Sequence, residues 1–242
     1  MKIKEQLEII FEDDDIIVVN KPPKLLSIPG RQYEEEESVY SLLAKKYDEL
    51  FVVHRLDKQT SGLLVFAKNA LAHKDLSTQF EKRTARKVYH ALVEGNFPSK
   101  EGTIEQPIAS TGSGSKMRLG KNGKYALTEF KVLEQYKAFA LVEAIIKTGR
   151  THQIRVHFQG IGHPLAVDFK YGNRSELFLS QIKRRKFKLG KNQEERPLLS
   201  RVSLHAQSLT IKHPGKGTEM TFQAPYPKDI RAILRQLEKW GR

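Results

Sequence analysis

From Val52 to Lys68 the chain reads VVHRLDKQTSGLLVFAK. Phe51-Val53 and Leu63-Ala67 are short apolar runs with the length and residue types of strand ends. Between them, His54 to Gly62 is a nine-residue loop with a single carboxylate, Asp57. Arg55 and Lys58 flank that carboxylate, and Thr60-Ser61-Gly62 closes the loop. Loops carried on rigid strands are where binding and chemistry concentrate. An acid among bases in such a loop is suited to work on an anionic substrate; an aspartate that caps a turn or pairs with a surface cation would look the same. The loop by itself leaves both readings open.

The rest of the chain supplies strands and helices without a regular βαβ rhythm. Leu7-Phe11 and Ile16-Val19 flank Glu12-Asp13-Asp14-Asp15, a hairpin with an acidic turn whose spacing does not suit a calcium loop. Asn20-Lys21-Pro22-Pro23 stops the second strand, because proline has no N–H for the ladder. Glu34-Glu37 then precedes a helix start at Ser38-Ala44. Asn69 is placed to cap a helix carrying Ala72, Leu76 and Phe80 and ending at Lys82-Arg83. Lys87-Gly95 alternates as a strand, and Phe139-Lys147 is apolar enough to be buried on both faces. Thr151 is expected to cap a short helix that Gly160 and Gly162 end. Further strands are expected at Val202-Leu204 and Ser208-Ile211, and an amphipathic helix at Asp229-Lys239. Together these predict one α+β domain over residues 1–242, built on a mainly antiparallel mixed sheet with flanking helices.

Charge decides the class of partner. Lys and Arg number 42 against 28 Asp and Glu, a formal charge of +14. Such an excess favours a polyanion, because each neutralised phosphate releases counterions. Two stretches concentrate it: residues 110–124, Gly- and Ser-rich with Lys116 and Arg118, and residues 181–196, with Lys183-Arg184-Arg185-Lys186 and Lys191. Each is either a solvated loop or a stretch in direct contact with phosphate, and the residues leave both readings open. Cysteine is absent, which excludes disulfides, thiolate metal sites and a thiol nucleophile. With no signal-like stretch in MKIKEQLEIIFEDDD and no apolar run near ~18 residues, a soluble, cytoplasmic protein with no membrane association is expected.

A second run, Thr148-Gly149-Arg150-Thr151-His152-Gln153-Ile154-Arg155-Val156-His157, continues to Gly162-His163-Pro164 and Asp168. A strand, a Gly turn and a helix start surrounded by cations make a good anion site. His152 and His157 are five apart with no intervening Glu, so a zinc motif is not expected. A third run, Lys87-Val88-Tyr89-His90-Ala91-Leu92-Val93-Glu94-Gly95, puts an aromatic on a strand 32 positions after Asp57. Tyrosines so placed usually face a sheet or a core.

These three runs resemble the RluA-type pseudouridine synthases. The central loop carries the likeness in His54-Arg55-Leu56-Asp57 and Thr60-Ser61-Gly62-Leu63-Leu64, ungapped. Val18-Val19-Asn20-Lys21-Pro22 and Leu204-His205-Ala206 through His213-Pro214 to Ala224-Pro225 extend it to about residues 7–227. Two departures are Lys24, where Gly is common, and Val167, where Gly commonly precedes the Asp. The resemblance implies the pseudouridine synthase fold with a central RNA-binding cleft, without the small N-terminal RNA-binding domain of some relatives. It also implies isomerisation of a uridine in structured RNA, ribosomal or transfer, with no metal, cofactor or obligate protein partner. It assigns Asp57, Tyr89 and Arg155 to catalysis, with Arg155 paired to Asp57. His54, Arg55, Thr60, Arg150, His152 and Gln153 fall to the RNA and its flipped base, and Lys116, Arg118, Lys183, Arg184, Arg185 and Lys186 to the RNA backbone. A non-catalytic RNA-binding protein would share the charge without needing the Asp57, Tyr89 and Arg155 pattern. An RNA-processing hydrolase would need a metal cluster or an acid–base pair that the spacings do not supply.

Overall fold

The computed structural model describes residues 7–30, 36–112, 116–190 and 193–242. Residues 1–6, Glu34, Glu35, residues 113–115 and Lys191, on which parts of the readings above fall, lie outside them. The chain forms two compact units, Met1–Val88 with His205–Pro225, and Tyr89–Leu204 with Tyr226–Arg242.

In the first unit, β1 (Glu8–Glu12) and β2 (Ile16–Lys21) form the expected antiparallel hairpin. β2 pairs in turn with β4 (Ser61–Ala67), from Ile16 opposite Ala67 to Lys21 opposite Gly62. β4 is buried along its whole length, as its apolar run requires, and β3 (Phe51–Val52) lies antiparallel to its far end. β11 (Leu204–Lys212) meets the start of β4 in parallel and pairs with β12 (Glu219–Gln223) antiparallel. The parallel contact is tight. A Cβ on Gly62, at φ +114°, would stand 2.2 Å from the Ala206 carbonyl oxygen. Helix α1 (Val39–Leu43) is capped by a Ser38–Ser41 box, and in α2 (Ala70–Glu81) the Asn69 Oδ1 accepts from Ala72 N at 2.8 Å. Leu76 of α2 closes a core of Ile16, Val18, Leu63, Val65, Leu209 and Ile211.

The second unit holds most of β5 (Arg86–Glu94), which lies beside β10 (Phe139–Ile146). β9 (Leu127–Gln135) and β6 (Glu101–Glu105) continue outward antiparallel. Its helices are α3 (Gln153–Gly160), α4 (Leu179–Lys183) and α5 (Lys228–Trp240). Ile233 and Leu237 of α5 pack on Leu92, Phe139 and Leu141. Among the described residues no helix is long and apolar enough to cross a membrane.

Four local expectations need correction. The strand expected at Ser208-Ile211 is part of one longer strand, β11, that starts at Leu204, so Val202 and Ser203 precede it; Gln207 and Ser208 in its middle are half-covered rather than turned out. Residues 110–124 are not simply a loop: β7 (Ile108–Ser110) pairs with β8 (Met117–Leu119). Residues 181–196 include the end of α4 and a one-turn 3-10 helix, Arg184–Lys186. Thr151 does not cap α3; His152 does, at φ 56° with no side-chain cap bond, because Gln153 brackets the turn instead.

Candidate active site

The loop between β3 and β4 is held by its backbone. The Ser27 hydroxyl donates to Leu56 O and accepts from Leu56 N, both at 2.9 Å. Lys21 is fully buried, and its ammonium donates to Lys58 O at 3.2 Å and to Leu25 O and Pro22 O at 2.8 and 3.0 Å. Buried charge is tolerated when carbonyl oxygens surround it in this way. Lys24 N adds a 2.8 Å bond to Lys58 O, and Thr60 N donates to Asp57 O at 3.0 Å. Residues 56, 58 and 60 are therefore fixed on either side of Asp57, whose own side chain stays partly exposed. Lys24 has φ 70°, which explains why glycine is common there and shows that this chain accepts the left-handed backbone with a side chain.

The loop's other residues divide. Arg55 is exposed, and Lys58 pairs with Glu36 at 2.6 Å. Thr60 is buried, and its hydroxyl is without a partner among the described residues. His54 stacks on Phe80, ring centroids 4.6 Å apart, and its Nε2 accepts from Val65 N at 3.2 Å, so Nδ1 carries the proton. Burial, assisted by Lys87, drives the His54 pKa down to about 3. At neutral pH His54 is an uncharged bracket between the loop and β4.

The second unit carries a different cluster. On α3, Arg155 is 3% exposed, and it grips Asp168 with two bonds, Nε to Oδ2 at 2.7 Å and Nη2 to Oδ1 at 2.8 Å. Asp168 Oδ1 also accepts from Lys170 N at 2.9 Å and Tyr171 N at 3.0 Å. Burial raises the Asp168 pKa, but Arg155 and these amides outweigh it and hold the carboxyl below its usual range. The guanidinium lies 4.9 Å from the Tyr171 ring centre, and the Tyr171 hydroxyl contacts His152 Nδ1 and accepts from Met117 N, both at 2.8 Å. Lys116 stands over the same ring at 6.0 Å. Thus Arg155, His152 and Lys116 gather around Tyr171.

Gln153 is 3% exposed, and its amide makes four bonds: Oε1 accepts from Thr148 Oγ1 at 2.7 Å and Arg150 N at 3.0 Å, and Nε2 donates to Leu127 O and Thr128 Oγ1 at 2.9 and 3.0 Å. It shapes the turn that presents Arg150, whose Nε donates to Tyr125 O at 2.8 Å. Tyr89 is buried on β5, and Arg118 is exposed on β8. The four cations at 183–186 stand at the end of α4 and in the 3-10 turn. His157 uses Nδ1 on Thr128 Oγ1 at 2.9 Å and Nε2 on Gln106 O at 3.0 Å, which leaves neither nitrogen for a metal. Asp13, Asp15 and His213 do converge, but Asp13 Oδ2 already meets His213 at 2.8 Å and the Lys216 ammonium at 2.9 Å, where a cation would sit.

Three structural partners escaped the sequence reading. Asp168 was visible in the second motif without a role; Tyr171 and Ser27 carried no signal, since their partners are distant in sequence.

The chain matches the family described as RNA pseudouridylate synthase over residues 15–160, a span that includes Asp57, Tyr89 and Arg155. It is 38% identical to the dual-specificity RNA pseudouridine synthase RluA of Escherichia coli, over 90% of this chain and 93% of that one. It is 39% identical to the ribosomal large subunit pseudouridine synthase D of Neisseria meningitidis, over 96% of this chain but 61% of the relative. Its fold is that of the human RNA pseudouridylate synthase domain containing 4, with a TM-score of 0.76, 24% identity, and coverage of 96% and 93% of the two chains.

Proposed function

This chain belongs to the RNA pseudouridylate synthase family and is an isomerase that converts uridine in RNA to pseudouridine; from that premise we propose that ribosomal RNA is its target and Asp57 its catalytic carboxylate. The reaction breaks the bond from uracil N1 to ribose C1′, turns the base and joins C5 to C1′, with C5 giving up its proton and N1 gaining one. Atoms and electrons balance within the nucleotide, so no redox partner or second substrate enters. One carboxylate suffices, where glycoside hydrolysis normally uses two.

The observation that carries the assignment is the backbone clamp. Fixing residues 56 and 58 while leaving the Asp57 side chain accessible is what a reacting carboxylate needs, since misplacement by ~1 Å costs about 10²-fold in rate. Tyr89 is proposed to stack on the extruded uracil, with its hydroxyl near C5. Arg155, held rigid by Asp168, is proposed as the cation that acts with Asp57. Arg55 and Arg150 are proposed to contact the RNA around the flipped nucleotide, and Lys116 and Arg118 its backbone. Gln153, His54 and Thr60 act as positioning residues in this reading. The two units are proposed to serve one catalytic function, in the cytoplasm, on structured RNA and without an obligate protein partner. The relative named for the large ribosomal subunit supports ribosomal over transfer RNA.

The test is pseudouridine mapping in cellular RNA with and without the gene, and with the Asp57→Asn protein restored. Loss of one ribosomal site in the deletion, not rescued by Asp57→Asn, supports the proposal. Rescue by Asp57→Asn overturns the carboxylate assignment, and loss of a transfer RNA site overturns the target.

A further inference from the structure

Outside the residues assigned to catalysis, a cavity of about 470 Å³ opens between the end of α4, its 3-10 turn and the end of α5. Trp240 forms one wall, with Tyr136 and Phe139 among the other lining residues. Seven of the fifteen lining residues are Lys or Arg, and none is acidic. The ammonium groups of Lys183, Lys239 and Lys186 stand 4.7, 5.2 and 5.8 Å from the indole centre. Among the described residues, none of these three lysines has a carboxylate within ion-pair distance, so three like charges gather on one ring. The π face favours each cation, while their mutual repulsion, softened by solvent, is relieved further by a bound anion.

We propose that this cavity is a second RNA site, which takes one unpaired nucleotide of the substrate, its base against the Trp240 indole and its flanking phosphates on Lys183, Arg185 and Lys186. The proposal rests on RNA being the substrate. An aromatic wall set among cations is the pairing by which proteins hold single-stranded nucleic acid, stacking supplying one part of the affinity and phosphate contacts the other. The volume lies in the range of about 300–1,000 Å³ typical of small-ligand sites, so one nucleotide fits and a helix does not. A flat basic patch for duplex RNA needs neither the cavity nor the ring. An acidic peptide would answer the charge but leave the indole face without a planar partner. The lysines are flexible enough to move from the ring to the phosphates as a base arrives.

Trp240 is the sole tryptophan of the chain, so emission excited selectively at tryptophan, away from the tyrosine band, reports on this cavity in the unmodified protein. The experiment titrates the full chain with a short single-stranded oligoribonucleotide, a duplex of the same length, inorganic polyphosphate and poly-glutamate, each over a salt series. The single strand is expected to quench the emission strongly, the duplex and polyphosphate weakly. In competition binding, Trp240→Leu should weaken the single strand about 5- to 100-fold, and Trp240→Phe should restore most of it. Lys183→Gln with Lys186→Gln should flatten the salt slope, with melting curves run on the same samples to verify folding. Equal quenching by polyphosphate and single strand would reduce the site to a patch of cations. A stronger response to poly-glutamate would assign it to a protein partner, and a silent titration would end the proposal. Because fluorescence needs no turnover, its failure leaves the Asp57 assignment standing; rescue by Asp57→Asn or loss of a transfer RNA site in the mapping experiment leaves this reading standing, since RNA is still the substrate.

Discussion

The loop around Asp57 and the turn around Asp168 each set an aspartate among basic residues, and they use it in opposite ways. At Asp168 the protein spends its donors on the carboxylate: two from Arg155 and two from the amides of residues 170 and 171, with no exposure left. Around Asp57, Ser27, Lys21 and Lys24 hold the neighbouring backbone, and the residue stays partly exposed. A fully buried carboxylate saturated by its own protein holds structure together; a partly exposed one on a fixed backbone is suited to a substrate.

The sharpest way to break this comparison is to neutralise each aspartate in turn. Asp57→Asn should lower turnover by at least about 10³-fold while melting close to wild type and binding RNA within a few-fold. Single-turnover assays and thermal melts on one preparation check this; a large drop in melting temperature would make Asp57 structural as well.

Asp168→Asn should show first in stability, with any loss of turnover following from Arg155 losing its support. The substitution removes the negative charge that faces the buried Arg155 guanidinium, at a cost of about 3–5 kcal/mol in stability. Denaturant unfolding measures it, and a loss below about 1 kcal/mol would mean that the pair is dispensable. Since its folded pKa is depressed, Asp168 contributes stability above the ordinary carboxylate range, which is lost as pH falls through the folded value.

His54 offers a subtler probe of the clamp. Its folded pKa of about 3 lies below the ~6.5 of an unfolded chain, so above pH ~6.5 the ring is neutral in both states and carries no proton penalty. Between those values only the unfolded chain takes up the proton, so stability should fall by a few kcal/mol as pH drops from about 6.5 towards 3. NMR titration should find the His54 ring still neutral at pH 5, and a midpoint near 6.5 would contradict its burial against Phe80.

The smallest effect concerns Lys24. Glycine relieves a left-handed φ of 70°, so Lys24→Gly should stabilise the first unit by at most about 1 kcal/mol. Destabilisation in unfolding experiments would show that the Lys24 side chain itself supports the loop.

Local pattern determined much of this protein. The strand at Phe51, the hairpin at its acidic turn, the Asn69 cap and the closing amphipathic helix were all legible, because strand alternation, helix periodicity and capping act over a few residues. By contrast, β4 starts at Ser61, two residues before the expected Leu63. The motif around Asp57 was legible for another reason, its unusual residue choices in unbroken order. What only the tertiary structure decided is who meets whom. The Ser27 hydroxyl reaches Leu56, 29 residues away, the Lys21 ammonium reaches Lys58, 37 away, and Trp240 joins lysines more than fifty positions earlier. The same distance hid the replacement of Thr151 by Gln153 as the bracket before α3, since the amide of Gln153 is satisfied at Leu127 and Thr128. Hydrogen bonds and ring contacts of this kind leave no periodicity in the chain; they exist only once packing has brought their partners within about 3 to 6 Å.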